Sequence, residues 1–167
     1  MTTIQVELLD CAQERFEETL DKMTVEEANK MPHPLIKSVT WLFWHTAREL
    51  DMQISDLKSE EALYTSKGWN KRFDLPFPDD APEYQHTSEE AEQVTVSDKE
   101  LLSDYLDASI KLAKDYLDNI NEDTLDKIVD ENWSPPVTQQ ARLVSIIDDA
   151  VMHSGQAVYT RRLVINK

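Results

Sequence analysis

Apolar residues recur along this chain with the period of a helix, in four long runs separated by polar or proline-containing stretches. The first runs from about Ile4 to Met23, where Leu9, Ala12, Phe16 and Leu20 fall on one face. Thr24 and Glu27 then have the spacing of a capping box, which predicts a short helix ending before "MPHPL". The second run begins at Ser38, a suitable N-cap, and continues to about Ser59, with Val39, Leu42, Phe43, Thr46, Leu50, Ile54 and Leu57 as its inward stripe. The third begins at Ser97, with Glu100 placed to complete a capping box, and carries Leu102, Tyr105, Leu112, Tyr116 and Ile120. The fourth spans about Gln139 to Val164, where Leu143, Ile146, Ile147, Ala150, Ser154 and Ala157 form a face of partly small residues suited to close packing.

A long connection, roughly Glu60 to Val96, separates the second and third runs and holds "GWNKRFDLPFPDDAPEY". A loop of that length in a compact domain is usually a crossover, or covers a site. No internal repeat or low-complexity tract interrupts the pattern. The expected fold is all-α: one domain over residues 1–167, a four-helix bundle with a long crossover between helices 2 and 3. Only two glycines occur among 167 residues, which disfavours a fold made of many tight β-turns.

Charge narrows the partners. The chain carries 33 acidic and 17 basic residues, a net charge of −16, and no Lys/Arg cluster of the kind that displaces counterions from a phosphate backbone. Nucleic acid and anionic membrane surfaces are therefore not expected partners. No stretch approaches the roughly 20 apolar residues of a membrane span, and the acidic, amphipathic "MTTIQVELLDCAQERF" is unlike a signal peptide. The expected location is cytoplasmic. The single cysteine, Cys11, excludes an intramolecular disulfide and is expected as a small core residue of the first helix.

Candidate chemistry rests with the histidines. His33 stands between prolines and reads as a surface residue. Glu83 and His86 have the Glu-x-x-His spacing of di-iron bundles, but that chemistry needs two such pairs on helices and this one lies in a loop. His45 and His153 each fall inside a long predicted helix, and Asp149 precedes His153 by four residues. That spacing puts Asp149 and His153 side by side, able to share an ion, and a second helix could bring His45 as a third ligand. Two imidazoles and a carboxylate leave positions open for water or substrate, as catalytic sites do. An ordinary intrahelical acid–histidine pair, with His45 unrelated, has the same spacing and is the commoner arrangement. Gly155, inside the last helix, costs about 1 kcal/mol relative to alanine. Ligand access, close helix approach or packing without function would each account for it.

Two stretches resemble a known family. "SVTWLFWHTARELDMQISDL" resembles the second helix of the DinB/YfiT-like superfamily, where a histidine after an aromatic-rich run is a metal ligand. "DDAVMHSGQAVYTRRLV" resembles its last helix, which typically carries His-x3-His or Glu-x3-His. The resemblance covers nearly the whole chain. It implies a four-helix bundle with one divalent ion, commonly zinc or nickel, whose ligands by position would be His45, Asp149 and His153. Asp149 stands where the family has His or Glu. It further implies a small-molecule substrate and a low-molecular-weight thiol such as mycothiol, bacillithiol or glutathione, in S-transfer or isomerisation, and members are often homodimers. Trp41, Trp69, Arg72 and Phe73 are candidates to shape the pocket. Two other readings stay open: a non-catalytic ligand- or partner-binding bundle with a vestigial metal site, and a metal-assisted hydrolase.

Overall fold

The structure, a computed structural model, describes residues 2–81 and 86–165. Glu83 lies outside the described residues. Four long helices dominate: α1 (Thr2–Asp21), α3 (Val39–Lys58), α7 (Glu100–Asp118) and α8 (Gln139–Ile165), with the short α2 (Val25–Asn29) between the first two. The connection from α3 to α7 holds three further short helices, α4 (Leu63–Ser66), α5 (Trp69–Phe73) and α6 (Ser88–Glu92). One turn of 3₁₀ helix, Glu122–Thr124, and a small antiparallel pair, β1 (Ile128–Asp130) and β2 (Val137–Thr138), join α7 to α8. Among the described residues the architecture is all-α apart from that pair. Among the described residues, no helix is long and apolar enough to cross a membrane.

The packing order follows from which helices are apolar on more than one side. α3 is buried around its whole circumference from Val39 to Arg48 and lies against both α7 and α8. α1 has a narrower stripe (Leu9, Phe16 and Leu20 fully or almost fully buried) and packs on α8 and α7. α7 turns Leu102, Tyr105, Leu106, Ile110, Ala113 and Leu117 inward, with Leu112, Tyr116 and Ile120 at the margin of the core.

Local signals hold where the helix start is set by the chain itself. Ser38 Oγ accepts from Trp41 N at 3.0 Å, and Thr24 with Glu27 closes its capping box at 3.2 and 2.9 Å. The box expected from Ser97 and Glu100 does not form. Glu100 N donates to Asp98 Oδ1, and Lys99 stands at the N-cap position. The Lys99 ammonium reaches Leu20 O in the last turn of α1 and Met23 O just beyond it, so tertiary contact sets where α7 begins. Cys11 is exposed rather than core. At 100° per residue it falls nearly opposite the face that Leu9, Ala12 and Phe16 share.

One buried carboxylate anchors the crossover. Asp51 of α3 has no exposed surface and accepts from Leu63 N (2.7 Å), Tyr64 N (2.7 Å), Tyr105 OH (2.8 Å) and Ser55 Oγ (3.2 Å). It therefore caps α4 from another helix and ties it to α7. Burial, followed by the Asp51 charge, pushes the Tyr105 hydroxyl well above its ordinary pKa, so it stays a donor.

Candidate metal centre

α3 contributes His45 at a point where that helix is buried on every side. The residue is 4 % exposed, and its ring stacks on Trp41, one turn earlier, with centroids 4.4 Å apart and planes 13° from parallel. α8 contributes Asp149 and His153, four residues apart and so on one face. The packing of α3 on α8 brings the three together. His153 Nε2 lies 3.3 Å from Asp149 Oδ1, and His45 Nε2 lies 3.7 Å from Asp149 Oδ2. One ligand atom from each of the three residues lies within 4.8 Å of the others. Small side-chain rotations would bring these within reach of one ion, whose bonds to imidazole and carboxylate are roughly 2.0–2.2 Å.

The neighbours prepare the donors. His153 Nδ1 is 2.7 Å from Gln156 Oε1, an oxygen that only accepts, so Nδ1 carries a proton; Nε2 faces Asp149, donating to it when the ring is protonated and offering its lone pair there once the ring is neutral. Asp149 Oδ2 is buried without a hydrogen-bond partner, and so is His45 Nδ1. At 3.7 Å the contact from His45 Nε2 to Asp149 is too long to be a hydrogen bond. A buried carboxylate oxygen left this way is costly, and one cation between the rings would satisfy it. These residues therefore fit a divalent ion.

The two imidazoles titrate in opposite directions. Burial, reinforced by His153, lowers the pKa of His45 to about 4, although Asp149 opposes the shift. Burial also acts to lower His153, but the hydrogen bond and charge of Asp149, helped by Gln156 and Glu49, outweigh it and leave that pKa raised. Neutral His45 is thus the resting form near pH 7, as a metal ligand must be.

Outside the cluster opens a cleft of about 650 Å³, with His45 and Asp149 among its lining residues. Glu49 of α3, Arg142, Asp148 and Met152 of α8, and Asp130 and Trp133 of the β segment also line it. Arg142 is engaged by Asp56 and lies 3.7 Å from Asp130, which ties β1 to the start of α8. Of the residues expected to shape the pocket, Trp41 backs His45. Trp69, Arg72 and Phe73 do not line the cleft. Trp69 and Phe73 pack on Tyr105 (centroids 5.1 and 5.6 Å), and Arg72 pairs with Asp104 at 3.3 Å, because α5 docks on α7. The crossover instead reaches the site through His86, whose Nδ1 accepts from Trp41 Nε1 at 3.2 Å. His33 accepts from Leu35 N in a local turn, apart from the cluster. The contribution of Trp133 and Asp130 left no signal in the sequence, since both sit in a short polar segment without periodicity.

No curated protein matches the sequence. The structure is similar to the crystal structure of a conserved protein from Enterococcus faecalis, with 62 % sequence identity and a TM-score of 0.97 over 100 % of this chain and 98 % of that one. The profile of the DinB superfamily matches residues 8–157. Because that match runs from α1 through Ala157 and takes in both helices that carry the cluster, the chain belongs to the DinB superfamily.

Proposed function

We propose that the chain is an enzyme working with one divalent metal ion held by His45, Asp149 and His153 at the floor of the cleft. The observation that carries this reading is Asp149. Its Oδ2 is buried without a partner between two imidazoles, and the residue also lines the 650 Å³ opening. In this reading the four long helices form a four-helix bundle, and the donor set of two imidazoles and one carboxylate suits zinc or nickel. Held by three protein groups, such an ion would lower the pKa of a thiol or water brought to its open positions.

The protein's own residues do the rest. Gln156 fixes the His153 tautomer, the buried His45 stays neutral, and Trp41 holds the His45 ring by stacking. The cosubstrate in this reading is a low-molecular-weight thiol, with S-transfer or isomerisation as the reaction and the cytoplasm as the location. The cleft narrows that thiol. Glu49, Asp130 and Asp148 line it, while Arg142 is already engaged by Asp56 and Asp130. A thiol bearing several carboxylates would meet repulsion there, so one of low negative charge fits better. Trp133, 67 % exposed, offers an apolar ring to the second substrate.

The test has two stages. Protein purified without added ions is analysed for metal, then titrated calorimetrically with Zn²⁺ and Ni²⁺, and His153→Ala is compared with the parent. About one ion per chain is expected, lost in the variant while the helical circular dichroism signal persists, because a site needs its ligands and alanine suits a helix. Stoichiometry near zero with both ions would end the metal reading. Transfer of a panel of thiols, neutral and anionic, to a generic electrophile then tests the reaction. One bound ion without turnover would make the site non-catalytic.

A further inference from the structure

The cleft outside the candidate metal centre combines carboxylates with large apolar side chains. Glu49 follows His45 by one turn of α3, and Asp148 directly precedes Asp149 on α8, so each stands beside a residue of the cluster. Asp148 is exposed and pairs with no cation among the described residues. The one guanidinium among the described residues lining the cleft, Arg142, is already held by Asp56 and Asp130. Even with a divalent ion on Asp149, the carboxylates of the cleft and its rim outnumber the positive charges.

Acidic surface is ordinary on a chain of net charge −16 and by itself selects nothing. Two further observations make this cleft specific. His45 borders it, only 4 % exposed, and among the described residues neither of its ring nitrogens has a hydrogen bond, so the cleft ends on an unpaired polar group. Trp133 and Met152, 67 % and 48 % exposed, line the same cleft. Trp133 belongs to the segment that joins β1 to β2, and Asp130 of β1 lies beside Arg142 of α8, so the indole is presented from a held base. An inorganic cation would gain nothing from a thioether and little from an indole at the mouth of the cleft. An organic ammonium is attracted by both the carboxylates and the indole face.

We propose that the cleft takes an organic cation as its second substrate: a protonated amine on an apolar body, the ammonium held by Glu49 and Asp148 and the body against Trp133 and Met152. This rests on the metal reading for the place of the reacting centre, because the open positions of an ion on Asp149 would lie next to these two carboxylates. A neutral analogue of the same shape loses the charge-assisted bonds and the cation–π contact, and an anionic one is repelled. At about 650 Å³ the cleft has the size of a small-molecule site.

Calorimetry with probes of matched size tests the selection: phenethylamine, phenethyl alcohol and hydrocinnamate, each titrated into the full chain in chelator so that no ion takes part. The amine should bind at least about tenfold more tightly than the alcohol, and the carboxylate should show no measurable binding. Asp148→Asn, Glu49→Gln and Trp133→Ala should each weaken the amine by about three- to tenfold, with unchanged thermal midpoints. Glu92→Gln, in α6 and outside the cleft, should leave it unchanged. An amine no tighter than the alcohol, cleft variants that bind it as the parent does, or a loss in Glu92→Gln equal to that in Asp148→Asn would overturn the proposal. A chain that takes up no Zn²⁺ yet selects the amine would support the amine site while ending the metal reading.

Discussion

The low pKa of His45 makes a quantitative claim about stability. Its folded-state value of about 4 lies below the unfolded reference of 6.5, with burial as the first cause. Between those values the unfolded chain binds a proton that the folded chain does not, so stability falls as pH falls. The contribution is whole above pH 6.5 and lost progressively towards pH 4. Linkage gives a loss of about 1.4 kcal/mol at pH 5.5 and about 3 kcal/mol at pH 4 for this one residue. Against a total of roughly 5–15 kcal/mol for a domain, that is a large share. His153 acts with the opposite sign. Its raised pKa stabilises the fold below the unfolded value and loses that contribution as pH rises through the folded one, so it partly masks His45 in the parent protein. The perturbation that isolates His45 is His45→Gln, a neutral polar replacement. Urea unfolding of metal-free parent and variant, in chelator, at intervals from pH 7 to pH 4 gives two stability profiles. The gap between them should change by about 3 kcal/mol across the range, the parent losing more. Profiles parallel to within about 0.5 kcal/mol would refute the claim that burial holds His45 neutral.

Three further outcomes follow from named contacts. Asp149→Glu should keep or tighten Zn²⁺ binding, whereas Asp149→Asn should weaken it through lost charge; calorimetry showing equal affinity for both and the parent would place the ion elsewhere. Gln156→Leu removes the acceptor that fixes the His153 tautomer at 2.7 Å, and Zn²⁺ affinity should drop by about 10–100-fold with little change in thermal midpoint. Asp51→Ala leaves Leu63 N, Tyr64 N and Tyr105 OH without their shared acceptor, and chemical denaturation should report a loss of about 3 kcal/mol or more with metal stoichiometry unchanged.

Much of this protein is written in its sequence because much of it is local. The four long helices follow from apolar spacing at three and four, and Ser38 and Thr24 cap their helices with bonds made inside a few residues. Asp149 and His153 share a face for the same reason: one turn of helix puts them there. Where the outcome depends on what packs against what, spacing was not enough. The Ser97 box lost to a lysine reaching across to α1, and the phase of α1 set Cys11 outward although the helix itself was legible. The crossover docked its aromatic residues on Tyr105, away from the cleft, and Trp133 reached the cleft from a strand pair too short to show a pattern. That His45 meets Asp149 is likewise decided by α3 packing on α8, across more than a hundred residues of chain. Sequence periodicity states which side of a helix turns inward. Only tertiary packing decides which two inward sides meet, because that choice is made by the fit of whole faces and not by any residue's neighbours along the chain.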